Sequence, residues 1–193
     1  MRAAERREAI LDAAAATFSR LGYRAAGMAD IAEASGITQP MLYRHFASKK
    51  ELYLAVIDRV VEEILDVLGR APDLLALGPA YARLAAEKPE LVRLRLQALT
   101  EREDPEIQER FRRLFLAQFE IIRRTTMNDM RAGQIDPGVD PVGLAWLFTS
   151  LGMLNDVVVA MELPGALEVV DQAAHQFWAW NYRVQGREPR WDC

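Results

Sequence analysis

Residues 22–52, GYRAAGMADIAEASGITQPMLYRHFASKKEL, constrain the fold more than any other stretch of the chain. Met28, Ile31 and Ala32 fall at i, i+3 and i+4, the spacing of one face of a short helix over about 28–35. Gly36 stops that helix, as glycine past a helix end does, and Ile37 then turns back to the core. Thr38 is placed to cap a second helix over 39–46. Pro40 falls in its first turn, where a missing N–H matters little. Leu42 and Phe46 are four apart and face inward, which leaves Gln39, Met41, Tyr43, Arg44 and His45 facing out. Ser48-Lys49-Lys50-Glu51 then reads as a capping box that opens the next helix.

A solvated helix face is ordinarily rich in Lys and Glu. This one carries an amide, a thioether, a phenol, a guanidinium and an imidazole within seven residues. Such a face suits a DNA major groove, which offers donors, acceptors and thymine methyls, and two helices around a glycine turn are the frame that delivers it. Lysines in the first turn of a helix oppose its dipole. A phosphate beside Lys49 and Lys50 would reverse that sign.

The run Gly22-Tyr23, Asp30-Ile31-Ala32, Ala34, Gly36-Ile37-Thr38, Leu42-Tyr43, Phe46 and Ser48-Lys49-x-Glu51-Leu52 resembles the DNA-binding domain of the tetracycline-repressor family. The resemblance covers about the first 55 residues; beyond them it is one of helix layout. It implies an all-α homodimeric regulator, with a three-helix DNA-binding head over 1–47 and a helical ligand-binding and dimerisation body over 48–193. Two positions depart from the family pattern. Ala26-Gly27 stands where a Thr-Thr or Thr-Ser pair usually precedes the first short helix, so a side-chain cap and phosphate contact is missing. Pro40 replaces a glycine often found in the recognition helix, and could rest against a thymine methyl. On this reading Gln39, Pro40, Met41 and Arg44 face bases, while Thr38, Tyr43, His45 and Lys49 face sugar and phosphate.

Net charge is −4, which taken alone argues against a nucleic-acid partner. Its distribution argues the other way: residues 1–50 hold 8 Lys/Arg and 5 Asp/Glu, residues 51–193 hold 16 and 23. A mildly basic head on an acidic body provides a local phosphate-binding surface. The single cysteine, Cys193, excludes an intramolecular disulfide and a cysteine metal cluster. With an N-terminus that passes directly into an amphipathic pattern, the expectation is a cytoplasmic protein.

In chain order, the first helix runs over 5–21 with Ile10, Leu11, Ala14, Phe18 and Leu21 inward, and Gly22 ends it. Arg2, Arg6 and Arg7 at its start could reach phosphates or a minor groove. The helix opened by Ser48 continues to about Gly69, with Leu52, Val56, Val60, Ile64 and Val67 along one face. Prolines place further helix starts at 79 and 89. Asp104-Pro105 opens a long helix to about Ala132, and Asp140-Pro141 opens one to about Met161. A last helix follows Pro164-Gly165 to about Gln185.

The stretch 142–161 is long enough to span a membrane, but Asn155-Asp156 would lie inside the bilayer, so a helix buried on nearly all sides is expected. Together with the apolar and aromatic helix 165–185 (Leu167, Val170, Ala174, Phe177, Trp178, Trp180), it makes a plausible dimer seam. The resemblance implies the same, since the family's last two helices pair with their symmetry mates.

No catalytic, metal-binding or cofactor constellation emerges. His45 lies in the reading helix, and His175 is read as a satisfied core or interface histidine. Glu101, Glu103, Asp104 and Glu106 cluster at a helix start and are expected to be solvated. Tyr81, Phe111, Phe115, Gln118, Phe119, Trp146, Asn155 and Asp156 mix apolar walls with a few polar groups, as a small-molecule cavity does. A packed core with hydrogen-bonded amides accounts for the same letters. Two functional classes follow. One is a repressor that binds a palindromic operator as a homodimer and is released by a small molecule; the other is a DNA-binding architectural or protein-interaction regulator without an effector.

Overall fold

The computed structural model describes residues 3–101, 103–166, 168–170 and 172–173, and among these it is helical with no strand. The elements are α1 (Ala3–Ala25), α2 (Met28–Ala34), α3 (Gln39–His45), α4 (Lys49–Arg70), α5 (Leu74–Glu87), α6 (Pro89–Thr100), α7 (Pro105–Arg131) and α8 (Pro141–Ala160). This is the all-α class expected from the sequence. Residues 174–193 carry much of the expected final helix, so Ala174, His175, Phe177, Trp178 and Trp180, like Leu167, lie outside the described residues.

Helix starts follow local chemistry. Ser48 Oγ accepts the Glu51 N–H at 3.1 Å, and the Glu51 carboxylate accepts the Ala47 N–H at 2.7 Å, one residue further back than in the usual box. Asp104 Oδ1 accepts from Glu106 and Ile107, and Asp140 accepts from Val142 and Gly143. The start of α5 departs from expectation: it begins at Leu74, not at Pro79, which lies inside the helix. Asp73 Oδ1 accepts the Ala76 N–H at 2.8 Å, and the Leu74 N–H is donated to Asp129 Oδ2 at 2.8 Å. With Leu74 and Leu77 also buried, these ties outweigh the one backbone bond that an internal proline removes.

The chain forms two compact units, residues 1–63 with 88–114 and residues 64–87 with 115–193. Helices α4 and α7 run unbroken from one into the other. In the first unit α1 packs on α6 and α2, and α2 packs on α3. Its core holds Ile10, Leu11, Ala14, Phe18, Ile31, Leu42, Phe46, Leu52 and Val56. The Phe18 ring meets Tyr53 edge-on at 5.0 Å, and Tyr23 lies 4.6 Å from Tyr53. Leu21, expected inward, is exposed. Gly22 leaves the helical region directly after it (φ 79°, ψ 161°), and it is Tyr23 that turns to Phe18, at 6.2 Å. The buried stripe of α4 steps by four from Leu52 through Val56, Val60 and Ile64 to Leu68, so Leu68 takes the place expected for Val67.

In the second unit α5 packs on α8. The Tyr81 hydroxyl donates to Asp156 Oδ1, and both residues are buried. The expectation that α8 is buried on nearly all sides is corrected. It buries Leu144, Ala145, Phe148, Thr149, Asp156 and Val158, and exposes Val142, Trp146, Leu147, Leu154 and Val157, as does its C-cap Met161. A helix packed along one side hides one stripe. By length and composition α8 could cross a membrane, yet its carboxylate is held inside protein by Tyr81.

Tyr53 supplies a test of the first unit's packing. Its hydroxyl is buried and has no hydrogen-bond partner among the described residues. Burial, then the Glu101 carboxylate and Tyr23, push its ionisation well above the ordinary tyrosine value. The folded state therefore keeps the phenol proton where the unfolded chain releases it, and stability is lost as pH rises above ~10. Tyr53→Phe is expected to be at least as stable as wild type at neutral pH and to lose less stability at high pH, measured by urea denaturation across that range.

Candidate nucleic-acid interface

The α2–α3 pair is set by three local devices. At its start, Gly27 is the N-cap of α2 and has no side chain to offer, but Asp30 Oδ2 accepts the Gly27 N–H at 2.9 Å. Half of a capping box thus survives the Ala26-Gly27 substitution. At the turn, Gly36 sits at φ 65°. The Ile37 N–H reaches the Ala32 carbonyl at 3.0 Å, and the Gly36 N–H reaches that of Glu33 at 3.0 Å. This double closure is the Schellman motif. At the far side, Leu42 and Phe46 are buried, anchoring α3 to the core.

Thr38 is the N-cap of α3 by its extended backbone, and its carbonyl accepts the Leu42 N–H at 3.1 Å. Its hydroxyl makes no cap bond, contrary to expectation. Pro40 occupies one of the two positions whose N–H would have met it. Gln39, Pro40, Tyr43 and Arg44 are exposed beside it, and Met41 and His45 are half-buried. The seven candidates Thr38, Gln39, Pro40, Met41, Tyr43, Arg44 and His45 therefore all lie on α3 or its cap.

Lys49 is placed differently. Its Nζ donates to the carbonyls of Arg24 and Ala26, both at 3.1 Å, and lies 5.0 Å from the centre of the Tyr23 ring. Other cations around α3 also have protein partners. The Arg7 guanidinium stacks over Phe46 at 5.0 Å. Arg24 pairs with Glu101 at 3.5 Å and Glu103 at 2.9 Å, and Lys50 with Asp104 and Glu106, both at 2.9 Å. The acids expected to be merely solvated thus form a corner that holds the two basic residues flanking the helix pair. The hydrogen bonds that Lys50 donates to Glu106 and Asp104 raise its ionisation. Burial works to raise Asp104, but Lys50 and the Ile107 and Glu106 N–H groups outweigh it and hold the carboxyl below its usual range.

The ligand candidates fall in two places. Phe111 belongs to the first unit, where it lines a 480 Å³ surface cleft with Ala98, Leu99, Pro105, Gln108 and Arg112. The other seven belong to the second. Phe115 and Phe119 lie 5.7 and 4.9 Å from Trp146, centre to centre, and Tyr81 is bonded to Asp156. Gln118 Oε1 and Asn155 Nδ2 are buried and have no hydrogen-bond partner among the described residues. Sequence reasoning missed the Tyr23–Tyr53 pair and the Gly27–Asp30 closure. The acid three residues after the cap was the available signal for the second.

Residues 10–56 match the family described as bacterial regulatory proteins, tetR family. The chain is 48% identical over 67 residues to the HTH-type transcriptional activator FasR of Mycolicibacterium smegmatis, covering 35% of this chain and 31% of that one. It is 35% identical over 127 residues to the HTH-type transcriptional regulator RutR of Escherichia coli K12, covering 66% and 56%. These matches span between about a third and somewhat over half of the relatives' own lengths. A TetR transcriptional regulator from Chloroflexus aurantiacus superimposes with a TM-score of 0.77 at 28% identity, over 93% of this chain and 97% of that one.

The turn can be tested by itself. A Cβ at Gly36 would meet no atom within 4 Å, so the left-handed backbone is the whole cost of a substitution there. Gly36→Ala is expected to destabilise by about 1–2 kcal/mol and Gly36→Asn by less, read as a fall in the urea midpoint.

Proposed function

Because the chain belongs to the tetR family of bacterial regulatory proteins, we propose that it is a transcriptional repressor that binds a palindromic operator as a homodimer and is released by a small-molecule effector. In this proposal residues 1–47 are the DNA-reading head, residues 48–193 the effector-binding and dimerising body, and the place of action the cytoplasm. The observation that carries the reading is the division of α3: Leu42 and Phe46 are spent on the core, while Gln39, Pro40, Tyr43 and Arg44 are exposed. A helix presented on a glycine-turned frame with amide, guanidinium and phenol outward matches the donors and acceptors of a major groove. Gln39 is the natural adenine reader, and Arg44 a guanine or phosphate partner. Pro40 and Met41 are apolar contacts for a thymine methyl, and Thr38, Tyr43 and His45 meet sugar and phosphate.

Dimerisation is supported by the exposed face of α8. Leu147, Ser150, Leu154, Val157 and Met161 recur at alternating steps of three and four, the period of a helix seam that faces another helix. A two-fold dimer presents two copies of α3 and so selects a site with inverted half-sites. The effector reading is supported by the second unit's aromatic residues Phe115, Phe119 and Trp146, and by the unpartnered amide atoms of Gln118 and Asn155. An effector with unequal affinity for two states of that unit biases the head through α4, which is continuous with it.

Selection of bound duplexes from a random library tests the reading directly. Gln39→Ala is expected to cost about 1–3 kcal/mol on the selected duplex, chiefly as lost base preference at one position of each half-site. An unchanged selected motif would remove Gln39 from the base-reading set. For the dimer, Leu154→Glu places a charge in the proposed seam. Sedimentation is expected to show a monomer, with operator binding weaker by about 10²-fold or more as bivalency is lost. A wild type that sediments as a monomer at micromolar concentration would refute the dimer outright.

A further inference from the structure

We propose that Lys49 is a positioning residue, one that fixes the angle of the reading helix by tying the end of α1 to the start of α4, and that it is not a phosphate ligand. This rests on the DNA-binding reading above. The sequence makes Lys49 awkward where it stands. It is in the first turn of α4, where the helix dipole disfavours a cation. Its contacts resolve the difficulty, because the ammonium serves the opposite end of a different helix.

After the break at Gly22, α1 ends at Ala25, and the last carbonyls of a helix have no partner within it. Lys49 Nζ donates to two carbonyls there, those of Arg24 and Ala26, at 3.1 Å each. A cation at a helix C-terminus is favoured both by those oxygens and by the dipole. The charge also lies 5.0 Å from the centre of the Tyr23 ring, which lies against Tyr53 of α4. Two of the three ammonium protons are thereby directed at backbone, and the charge rests over an aromatic face. The adjacent Lys50 goes instead to Asp104 and Glu106.

Holding Ala26 matters because Ala26 is the residue before the α2 cap. Its own side chain is buried. Gly27 follows, bonded to Asp30 of α2, and the Schellman closure at Gly36 then joins α2 to α3 as one stiff piece. Whatever pins the Ala26 carbonyl sets where that piece begins. Loosening it leaves the charge pattern of α3 intact but lets its outward residues wander relative to the base edges. Discrimination between sequences is then lost before general attraction to DNA.

The experiment uses the full chain. A duplex is selected from a random library with the wild type, and affinities for it and for a scrambled duplex of equal length are measured over a salt series. Measurements are made well below the melting temperature of each variant. Lys49→Met is expected to lose about tenfold on the selected duplex and under about twofold on the scrambled one, with the salt slope unchanged. Lys49→Arg keeps a charge for any phosphate, yet its planar fork does not fit two carbonyls and a ring. It is expected to lose discrimination in the same direction, again without a change of slope, and it supplies the answer if Lys49→Met does not fold. Equal losses on both duplexes with a slope lower by about one, or a Lys49→Arg protein that matches wild type, would identify a phosphate ligand and overturn the inference. Lower melting temperature with an unchanged affinity ratio would make Lys49 structural only, and overturn it as well. A wild type that enriches no duplex would instead overturn the DNA-binding reading itself, taking the inference with it.

Discussion

The burial of Leu42 and Phe46 is the constraint on which the head depends. A seven-residue helix such as α3 does not persist alone in water, because too few hydrogen bonds form to offset its nucleation. Its shape is borrowed from the core, to which each of the two side chains contributes about 1.5–3 kcal/mol on burial. Arg7 closes over the Phe46 ring from α1. The Schellman turn at Gly36 then leaves α3 one direction in which to leave α2. None of these devices uses an outward residue of α3, so that face is free for recognition.

Electrostatics around the head is organised by pairing rather than by excess charge. Arg24 and Lys50 flank the helix pair and are both held by the acidic corner that runs from Glu101 to Glu106. Each exposed pair of this kind contributes little to stability. Their larger effect is on availability, since a cation already facing a carboxylate is a poorer partner for a phosphate. The positive charge facing outward on α3 itself is left to Arg44. Added salt therefore weakens two opposed sets of contacts, those within the corner and those with a polyanion.

Features written in a few neighbouring letters were legible. Gly36, Ser48-x-x-Glu51, Asp104-Pro105 and Asp140-Pro141 mark stops and starts through chemistry that completes itself within four residues, and the structure keeps all of them. The start of α5 was not legible. Pro79 is a strong local signal, but Asp73 and the buried Leu74 outweigh it, and one of the bonds that fix this start comes from Asp129, far along the chain. The coverage of α8 was illegible for a related reason: an apolar sequence says that a face avoids water, not which element hides it. The division of α3 into a buried and an exposed side was legible in its spacing, whereas the partners of Lys49 lie 23 and 25 residues away and leave no mark in its immediate neighbours.

The division of α3 into an anchored side and an outward side has an evolutionary corollary. Because Gln39, Tyr43 and Arg44 are exposed, mutation at those positions is, on the proposed function, filtered more by what the protein recognises than by whether it folds. Duplicated copies of such a gene could diverge toward new target sites through steps that each leave a folded product. Leu42, Phe46 and Gly36 would meanwhile hold the same frame in every descendant. On the same proposed function, transplanting those three outward side chains from another protein of this architecture would be a route to a retargeted protein on an unchanged frame.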